Sequence, residues 1–582
     1  MGQYTPFILK NLFELQFFSN LDYYFARSMG KVFNEDNAIA LASCALVSRA
    51  LSQGHICIDI KEFSKNIISI SKNSDEKVKF PDFDTWIEAL ENSSIISNLG
   101  VSNLGVSNSI KTPLVFDSNY RLYFAKYFDF QNRLINNIVL RVSLKPLTIE
   151  KTTIDEILAM HFTGSKSHIL NQKNSVKNAV FNNFTIISGG PGTGKTFIVS
   201  IIKKILLLYA AKHDLAQPKI ICAAPTGKAA SKMDNGSTIH SILKPLKNRP
   251  GFHYNKNNPL LTDVIIIDEA SMIDISLMVR LLEAVPITAK VIILGDKHQL
   301  SSIQAGSVFS DICSVKSSFL PIFFLDYNFR SKGKTGIENL SKAINSNDDL
   351  KLENILTSGD YPDVVFKPLH NKGMPPGFID KHIIKGFKPF LNAKSVEASL
   401  DKLDAFKILC AHNSGEYGTL QINHVCEKIL LLGNNFAIQN KPLKKVVMVN
   451  TNDYKKGLFN GDTGVCFKDS EKSMVFFKDL DNSVKQYRLL DLPEHDTAFA
   501  ITIHKSQGSE FKNVLIILPD RLSPVVTRQL LYTGVTRAKE KVIIIGNLNI
   551  IKQAIGLSVK RNSGLTQYLD KRLTECEAKL EC

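Results

Sequence analysis

The sequence predicts an α/β protein with two parallel sheets covered by helices, and three observations lead to this fold class. From Phe184 onward, short β-rich runs alternate with helical segments, which is typical of a parallel sheet flanked by helices. A second region with the same alternation follows beyond residue 400. Between the strands of this second region, at about residues 445–498, short strands and turns predict a small β-barrel insert.

Each predicted strand is a short run of β-forming, mostly apolar residues. The first sheet is predicted from Thr185–Ser188, Lys219–Ala223, Val264–Ile267, Val291–Leu294 and Ile322–Leu325. The second sheet is predicted from Phe406–Cys410, Val514–Leu518 and Val542–Ile545. Nearer the N-terminus, the apolar spacing predicts a helix from Asp36 to Leu51, with Asp36 as its cap. A tandem SNLGV repeat within Ser97–Asn108 predicts a surface loop.

Composition limits the class of protein. The 582 residues suggest three or four domains at about 150 residues each. The chain is 44% hydrophobic and 22% charged, which excludes extensive disorder. It contains no apolar run of the roughly 18 residues that a membrane span needs, and its nine scattered cysteines form no CxxC pair. We therefore expect a cytoplasmic protein with reduced thiols and no membrane partner. The net charge of +16 is compatible with nucleic acid but supports it only weakly.

One segment fits the phosphate-binding pattern G-x-x-x-x-G-K-[ST], and its residues are Gly189, Gly190, Pro191, Gly192, Thr193, Gly194, Lys195 and Thr196. A predicted strand enters this segment and an amphipathic helix leaves it, which is the required context. The glycines let backbone N–H groups face phosphate oxygens. Lys195 is expected to reach the β- and γ-phosphates, and the Thr196 hydroxyl to ligate Mg²⁺.

Further polar and charged candidates include residues that follow predicted strands, at the edge where α/β sheets bind ligands. Asp268 is expected to hold Mg²⁺, and Glu269 to act as general base toward the attacking water. Gln299 is placed to sense the γ-phosphate or that water. Arg330 and Arg537 are candidates for stabilising the charge that develops during hydrolysis. Taken singly, the acids could cap a helix and the arginines could form surface salt bridges.

The ordered motifs resemble those of superfamily 1 helicases with two RecA-like motor domains, and more narrowly those of the RecD family of exodeoxyribonuclease V subunits. The motifs are GGPGTGKT (189–196), AAPTGKAA (223–230), DEAS (268–271), GDKHQL (295–300), NFRS (328–331), TIHKSQGSEF (502–511) and YTGVTRAKE (532–540). Segments 51–57, 113–116, 121–123 and 457–464 also resemble that family. The resemblance covers most of the chain.

The resemblance implies roles for matching positions. Gln172 falls where the family reads adenine, although Asn171 stands where an aromatic residue often precedes that glutamine. Gly508 and Glu510 are implied to lie near the nucleotide. The implied contacts to single-stranded DNA are Thr226, Lys228, Thr238, His240, Thr502, His504 and Lys505. From the residues alone, helix capping is as good an explanation of Thr226 as DNA contact.

The family also implies an organisation and an activity. Residues 1–115 would form a small helical domain that docks partners, 116–335 the first motor domain, and 336–582 the second with its insert. The implied activity is ATP- and Mg²⁺-dependent 5′→3′ movement on single-stranded DNA, within a heterotrimer with RecB and RecC that processes duplex ends. Nuclease activity is expected only from that complex. The alternatives are a stand-alone superfamily 1 DNA or RNA helicase, and a scaffold that binds ATP without turnover.

Overall fold

The computed structural model describes residues 5–64, 66–69, 77–99, 111–145, 150–162, 166–247, 249–330, 335–369, 377–432, 443–453, 455–468, 473–479 and 483–581. The chain forms a mixed N-terminal domain, then two α/β domains with parallel sheets, the second of which carries an antiparallel sheet. Most of the SNLGV repeat lies outside the described residues, and only its start, Ser97–Leu99, is seen, as part of a strand. No helix within the described ranges is long and apolar enough to cross a membrane.

The N-terminal domain is mixed α/β, so the prediction of a helical domain was wrong. Two small sheets, with strand orders β1-β4-β3 and β2-β7-β6-β5, pack with helices around one apolar core. The strands are β1 Thr5–Pro6, β2 Cys57–Asp59, β3 Ile67–Ser69, β4 Lys77–Lys79, β5 Ile96–Leu99, β6 Leu114–Asp117 and β7 Arg121–Phe124. The helices are α1 Leu9–Glu14, α2 Asn20–Phe33, α3 Ala38–Ser52, α4 Ile60–Phe63 and α5 Phe83–Glu91.

Two details of this domain differ from the sequence prediction. Helix α3 is capped by Asn37, whose side chain accepts the N–H groups of Ile39 and Ala40, and not by Asp36. The predicted domain boundary after residue 115 falls inside strand β6, which pairs with β7, so the domain continues to Phe124.

The first α/β domain has a six-stranded, wholly parallel sheet of order β10-β9-β11-β12-β8-β13. Its strands are β8 Phe184–Gly189, β9 Ile220–Ala224, β10 Gly236–Thr238, β11 Val264–Ile267, β12 Lys290–Gly295 and β13 Ile322–Leu325. Its helices are α6 Ala125–Ser143, α7 Lys151–His161, α8 Ser167–Phe181, α9 Lys195–Lys212, α10 Gly227–Ala230, α11 Ile239–Leu243, α12 Ile275–Ala284 and α13 Val308–Ile312. Apolar cores cover both faces, which confirms the predicted strands.

The second α/β domain has a five-stranded parallel sheet of order β14-β23-β22-β15-β21. Its helices are α14 Gly336–Ser346, α15 Asp349–Thr357, α16 Phe378–Leu391, α17 Val396–Asp401, α18 Thr419–Glu427, α19 Arg528–Thr536 and α20 Leu548–Gly556. Its strands are β14 Val364–Pro368, β15 Phe406–Cys410, β21 Ala500–Thr502, β22 Phe511–Ile517 and β23 Ala538–Gly546. The two domains are therefore tandem RecA-like domains, as predicted.

The insert of the second domain is an antiparallel sheet of order β19-β18-β17-β16-β20. Its strands are β16 Leu443–Val449, β17 Thr463–Lys468, β18 Ser473–Lys478, β19 Val484–Arg488 and β20 His495–Thr497. The insert lies where the sequence predicts it. Strands β19 and β20 are the two edges, and among the described residues no ladder joins them, so this part of the chain forms an open sheet rather than a closed barrel.

The C-terminal helix α21, Leu565–Glu581, leaves the second domain and packs on the first. The side chains of Leu565 and Leu569 are buried in the core that includes helix α6. The Tyr568 hydroxyl donates to Asp117 Oδ2 at 2.7 Å, and Ile56 N donates to Asn562 O at 2.9 Å. The predicted range of 336–582 for the second motor domain therefore extends too far, because its last helix completes the first domain.

We expect Asp311→Asn to stabilise the protein in a pH-dependent way. Asp311 accepts the Ser563 hydroxyl at 2.7 Å, and burial raises the pKa of this carboxyl to about 7. Between the unfolded pKa of about 3.9 and pH 7, the folded state holds a proton that the unfolded state releases, so stability falls as pH rises and the penalty is complete above pH 7. Asparagine carries no such penalty.

The measurement is the apparent melting temperature of both proteins at pH 5 and pH 8. We expect an increase of about 2–4 °C for the variant at pH 8, which corresponds to about 1 kcal/mol, and a smaller increase at pH 5. An equal increase at the two pH values would mean that the carboxyl does not carry this penalty.

Candidate nucleotide site and nucleic-acid interface

The phosphate loop joins strand β8 to helix α9. Because α9 begins at Lys195, the loop lies at a helix N-terminus, where the helix dipole favours an anion. Gly192 and Gly194 have φ values of +80° and +90°, a conformation that favours glycine. A β-carbon at Gly194 would collide with the side chain of Gln172. The Lys195 ammonium donates to the carbonyl oxygen of Gly190 at 3.1 Å.

The acidic pair follows strand β11, at the same edge of the sheet as the phosphate loop. Asp268 is buried, and its carboxylate accepts the N–H of Glu269 at 2.8 Å. Burial and the charge of Glu269 raise the pKa of Asp268 to about 6, although the charge of Lys195 opposes this shift. Glu269 has a φ of +53°, a strained conformation for a residue other than glycine, which is found most often at functional sites.

Arg537 reaches from the second domain to the first. It follows helix α19 and is 1% exposed. Its Nη2 donates to Gln299 Oε1 at 2.6 Å, and its Nη1 donates to the carbonyl oxygen of Ser509 at 3.0 Å. The Gln299 amide in turn donates to Asp296 Oδ2 at 3.2 Å. Two residues predicted to act on the nucleotide, one from each domain, therefore meet in a buried hydrogen bond.

A cavity of about 260 Å³ opens between the same two domains. The first domain lines it with Gly189, Gly190 and Arg330, and the second lines it with Tyr532 and Thr536. The phosphate loop and the helix that precedes Arg537 therefore share one crevice.

Arg330 forms a second contact across this crevice. Its Nη2 donates to both carboxylate oxygens of Glu510, each at 2.9 Å. Although burial opposes it, the charges of Lys232 and Arg330 hold the pKa of Glu510 at about 2. Arg330 packs beside Gly192 of the phosphate loop, so its partner Glu510 also lies near that loop.

Gln172 lies beside an aromatic cluster that the sequence did not reveal. Its amide donates to the carbonyl oxygen of Thr193 at 3.0 Å. The rings of His168 and Tyr327 stack with centroids 3.9 Å apart, and Phe329 meets Tyr327 edge-on at 4.9 Å. These residues line a cavity of about 270 Å³ next to the phosphate loop. The spacing of four residues between His168 and Gln172, which places both on one helix face, was the available signal.

Two of the predicted DNA contacts of the first domain line a cavity of about 470 Å³, which lies between the two α/β domains and the insert. Lys228 and Thr238 line it. Thr226 accepts the N–H of Ala229 at 3.3 Å and Thr238 accepts that of Ser241 at 3.1 Å, so both threonines cap helices. The capping role that the sequence left open is therefore present.

Three other details concern this group. Burial lowers the pKa of the Lys228 ammonium, which lies over the ring of Phe511. Burial also lowers the pKa of His240. Gly508, with a φ of +73°, packs against Thr226 and not against the phosphate loop. The missing side chain allows close approach to the loop predicted to contact DNA, and the place of Gly508 beside the nucleotide stays a prediction.

The predicted DNA contacts of the second domain lie apart from the first group. Thr502 and Lys505 line a cavity of about 300 Å³ beside the insert. The Lys505 ammonium donates to Asn450 Oδ1 at 2.8 Å, and Thr502 accepts the N–H of Lys505 at 3.2 Å. Burial and the charge of Arg561 lower the pKa of His504. The candidates therefore divide into two groups, one on each α/β domain.

The residues predicted to bind Mg²⁺ have suitable chemistry. The Thr196 hydroxyl and the Asp268 carboxylate offer the oxygen ligands that Mg²⁺ prefers alongside nucleotide phosphates. A nearby cation would favour the charged form of Asp268, whose pKa is raised. The hydroxyl of Ser271, in the same motif, is buried and has no hydrogen-bond partner within the described part of the chain.

Three family profiles match the chain. The profile described as the N-terminal domain of the RecBCD enzyme subunit RecD matches residues 14–123, which contain the mixed N-terminal domain. A profile described as an AAA domain matches residues 172–305, from Gln172 past the phosphate loop and Gln299. A profile described as a UvrD-like helicase C-terminal domain matches residues 497–545, which include Arg537.

Named proteins match over most of the chain. The RecBCD enzyme subunit RecD of Haemophilus influenzae is 28% identical over 97% of this chain and 99% of its own length. RecD of Mycolicibacterium smegmatis is 28% identical over 94% of this chain and 97% of its own length. The ATP-dependent RecD2 DNA helicase of Deinococcus radiodurans is 27% identical over 62% of this chain and 47% of its own length. The structure of Bacteroides Pif1 bound to ssDNA covers 71% of this chain and 98% of that one at 19% identity, but its TM-score of 0.39 is too low to support an inference.

The fold, the cross-domain site and the relatives define a class: this chain is an ATP-dependent DNA helicase with two RecA-like domains. Within that class the chain is similar to the RecD subunits, from the N-terminal domain through the second motor domain.

Proposed function

We propose that this chain is the 5′→3′ motor subunit of a RecBCD-type helicase and nuclease in the bacterial cytoplasm. In this proposal it assembles with RecB and RecC as a heterotrimer and acts on duplex DNA ends during recombinational repair. Its full-length relatives, which are named as RecBCD enzyme subunits, support the assembly. The match of its N-terminal domain to the RecD profile supports a docking role for residues 14–123. We assign nuclease activity to the complex.

The proposal of an ATP-driven motor rests mainly on the buried hydrogen bond between Arg537 and Gln299. It joins the second domain to the edge of the first sheet at which the phosphate loop follows strand β8. The Arg330–Glu510 ion pair spans the same crevice. A nucleotide in this crevice would therefore touch groups from both domains, so that its hydrolysis changes how the domains fit together.

The proposed chemistry assigns one task to each residue. Lys195 and the phosphate-loop N–H groups bind the β- and γ-phosphates, and Glu269 accepts a proton from the attacking water. Thr196 and Asp268 would hold Mg²⁺, which supplies positive charge to the phosphates when bound. Arg537 stabilises the negative charge that develops on the γ-phosphoryl oxygens. Product release then weakens the contacts between the domains.

DNA movement follows from two separate gripping groups. In our proposal Lys228 and Thr238 on the first domain and Thr502 and Lys505 on the second contact the backbone of a single strand. When the crevice closes and opens, the distance between these groups changes, and the strand is held by each group in turn. The division of the candidates between two cavities supports this scheme. The 5′→3′ direction rests on the family resemblance alone.

Strand displacement tests the proposal. We expect ATP-dependent unwinding of a duplex with a 5′ single-stranded tail, no unwinding with a 3′ tail, and a large increase when RecB- and RecC-type partners from the same cell are added. Affinity purification from that cell would provide the partners. Unwinding only from a 3′ tail would contradict the direction. Full unwinding by the chain alone, with no protein co-purifying, would favour the stand-alone helicase, and preference for RNA duplexes would favour the RNA alternative.

A further inference from the structure

The hydroxyl of Tyr532 crosses the crevice beside the phosphate loop. Tyr532 lies on helix α19 of the second domain and donates to Asp296 Oδ2 of the first domain at 2.9 Å. A β-carbon at Gly190 would stand 2.9 Å from the same hydroxyl, so the phenol packs directly on the phosphate loop. Burial and the charge of Asp296 raise the pKa of Tyr532 well above its usual range, so the phenol remains a donor.

Asp296 links this contact to Gln299, the residue predicted to sense the γ-phosphate or the attacking water. Its Oδ2 also accepts the amide N–H of Gln299 at 3.2 Å, and its Oδ1 accepts the backbone N–H of His298 at 3.0 Å. Since the Gln299 nitrogen faces Asp296, the Gln299 oxygen is left to accept from Arg537 at 2.6 Å. With the opposite amide orientation, two donors would face each other and the contact with Arg537 would be lost.

These contacts form a ring that helix α19 closes. Arg537 follows the same helix that carries Tyr532, so the path Tyr532, Asp296, Gln299, Arg537 leaves the second domain and returns to it. All four side chains are buried. Because these side chains are buried, each hydrogen bond orients the next one. The loss of one donor is therefore expected to weaken the other hydrogen bonds of the ring.

We propose that Tyr532 is a positioning residue for ATP hydrolysis, which holds Asp296 so that Gln299 presents its oxygen to Arg537. Because Tyr532 also packs on Gly190, a change in the position of the phosphate loop moves the same hydroxyl. The ring thereby links the loop that binds the phosphates to the arginine that stabilises the reacting group. This inference rests on the proposed roles of Gln299 and Arg537 in hydrolysis.

The docking of the two domains does not depend on the Tyr532 hydroxyl alone. Leu300 N donates to Thr533 Oγ1 at 3.0 Å, and Gln507 Nε2 donates to the carbonyl oxygen of Leu300 at 2.8 Å. These two buried hydrogen bonds join the domains next to the ring. Removal of one hydroxyl is therefore expected to change the orientation of Gln299 and leave the interface in place.

Tyr532→Phe in the full chain tests this inference. We expect kcat for DNA-stimulated ATP hydrolysis to fall about tenfold, as for the loss of one well-formed buried hydrogen bond, with KM for ATP and the affinity for single-stranded DNA each within about twofold of wild type. This split between kcat and KM identifies a positioning role, because a general loosening of the crevice would also raise KM. An unchanged kcat, or a rise in KM as large as the fall in kcat, would overturn the proposal.

Tyr568→Phe is the matched control. It removes another phenol–carboxylate hydrogen bond between distant parts of the chain, from Tyr568 to Asp117 at 2.7 Å, but outside the crevice. We expect its kcat and KM to equal those of wild type. If Tyr532→Phe lowers the melting temperature more than Tyr568→Phe does, Asp296→Asn replaces Tyr532→Phe in the test. We again expect a lower kcat with an unchanged KM for ATP, and an unchanged kcat or an equally large rise in KM would again overturn the proposal.

A double variant tests whether Tyr532 acts through Gln299 or independently of it. Because Tyr532 acts through Gln299, the variant that combines Tyr532→Phe with Gln299→Ala is expected to be no slower than Gln299→Ala alone, whereas independent effects would multiply. A multiplied loss would overturn the proposal. Failure of the proposed function gives a different result, since wild-type protein would then show no DNA-stimulated ATP hydrolysis at all.

Discussion

Replacement of Arg537 by alanine is expected to lower kcat for DNA-stimulated ATP hydrolysis by about a thousandfold, the lower end of the range for an arginine that stabilises a transferring phosphoryl group. The guanidinium is buried between the two domains and donates to Gln299 and to the carbonyl oxygen of Ser509. Its removal takes away a positive charge that the second domain holds at the contact with Gln299. The measurement is steady-state ATP hydrolysis with saturating single-stranded DNA.

Arg537→Lys distinguishes charge from geometry. Lysine keeps the positive charge, but its ammonium cannot reproduce the planar set of donors that reaches Gln299, Ser509 and Thr533 together. We therefore expect at least a tenfold loss of kcat with lysine and a larger loss with alanine. Retention of more than a tenth of wild-type kcat by the alanine variant would contradict the assignment. Binding of a fluorescent ATP analogue shows whether the variants still form the site.

Glu269→Gln is expected to lower kcat by about 10² to 10⁴-fold while ATP still binds, because glutamine has the shape of glutamate but cannot accept the proton of the attacking water. Glu269 follows the buried strand β11 and stands next to Asp268, whose backbone and side chain remain unchanged in the variant. Nucleotide affinity within about threefold of wild type, measured by fluorescence titration, would accompany the loss of turnover.

Glu283→Gln provides the comparison for this second variant. Glu283 lies on helix α12 of the same domain and forms an ion pair with Arg133, away from the crevice. The Glu283→Gln variant should hydrolyse ATP at the wild-type rate. If the two glutamine variants hydrolysed ATP equally fast, Glu269 could not be the general base.

The strands that shape the nucleotide site could be predicted because parallel strands covered on both faces read as continuous apolar runs. The strands at Val264–Ile267 and Ile322–Leu325 have the bounds that the sequence predicts. The phosphate loop and the acidic pair could be predicted for the same reason, since each follows directly from such a strand. The N-terminal sheets could not, because strands as short as Cys57–Asp59 contain too few residues to show a period.

Contacts between distant parts of the chain could not be predicted from one sequence. Tyr532 and Asp296 stand within quoted motifs, but 236 residues separate them, and only folding brings the phenol to the carboxylate. The aromatic pair of His168 and Tyr327 has the same origin, since each ring alone resembles an ordinary surface residue. The sequence identified the residues of the two domain surfaces, and the fold determines which of them meet.

The return of the C-terminal helix to the first domain gives the two motor domains a mechanical tether. Leu557 is fixed to the second domain, where its carbonyl oxygen accepts Arg528 N at 2.9 Å, and Arg561 is fixed to the first, where it donates to the carbonyl oxygen of Gln304 at 2.7 Å. Even fully extended, the short exposed strap between these anchors spans only about 14 Å. The length of this strap therefore limits how far the two motor domains can separate at this point of the chain.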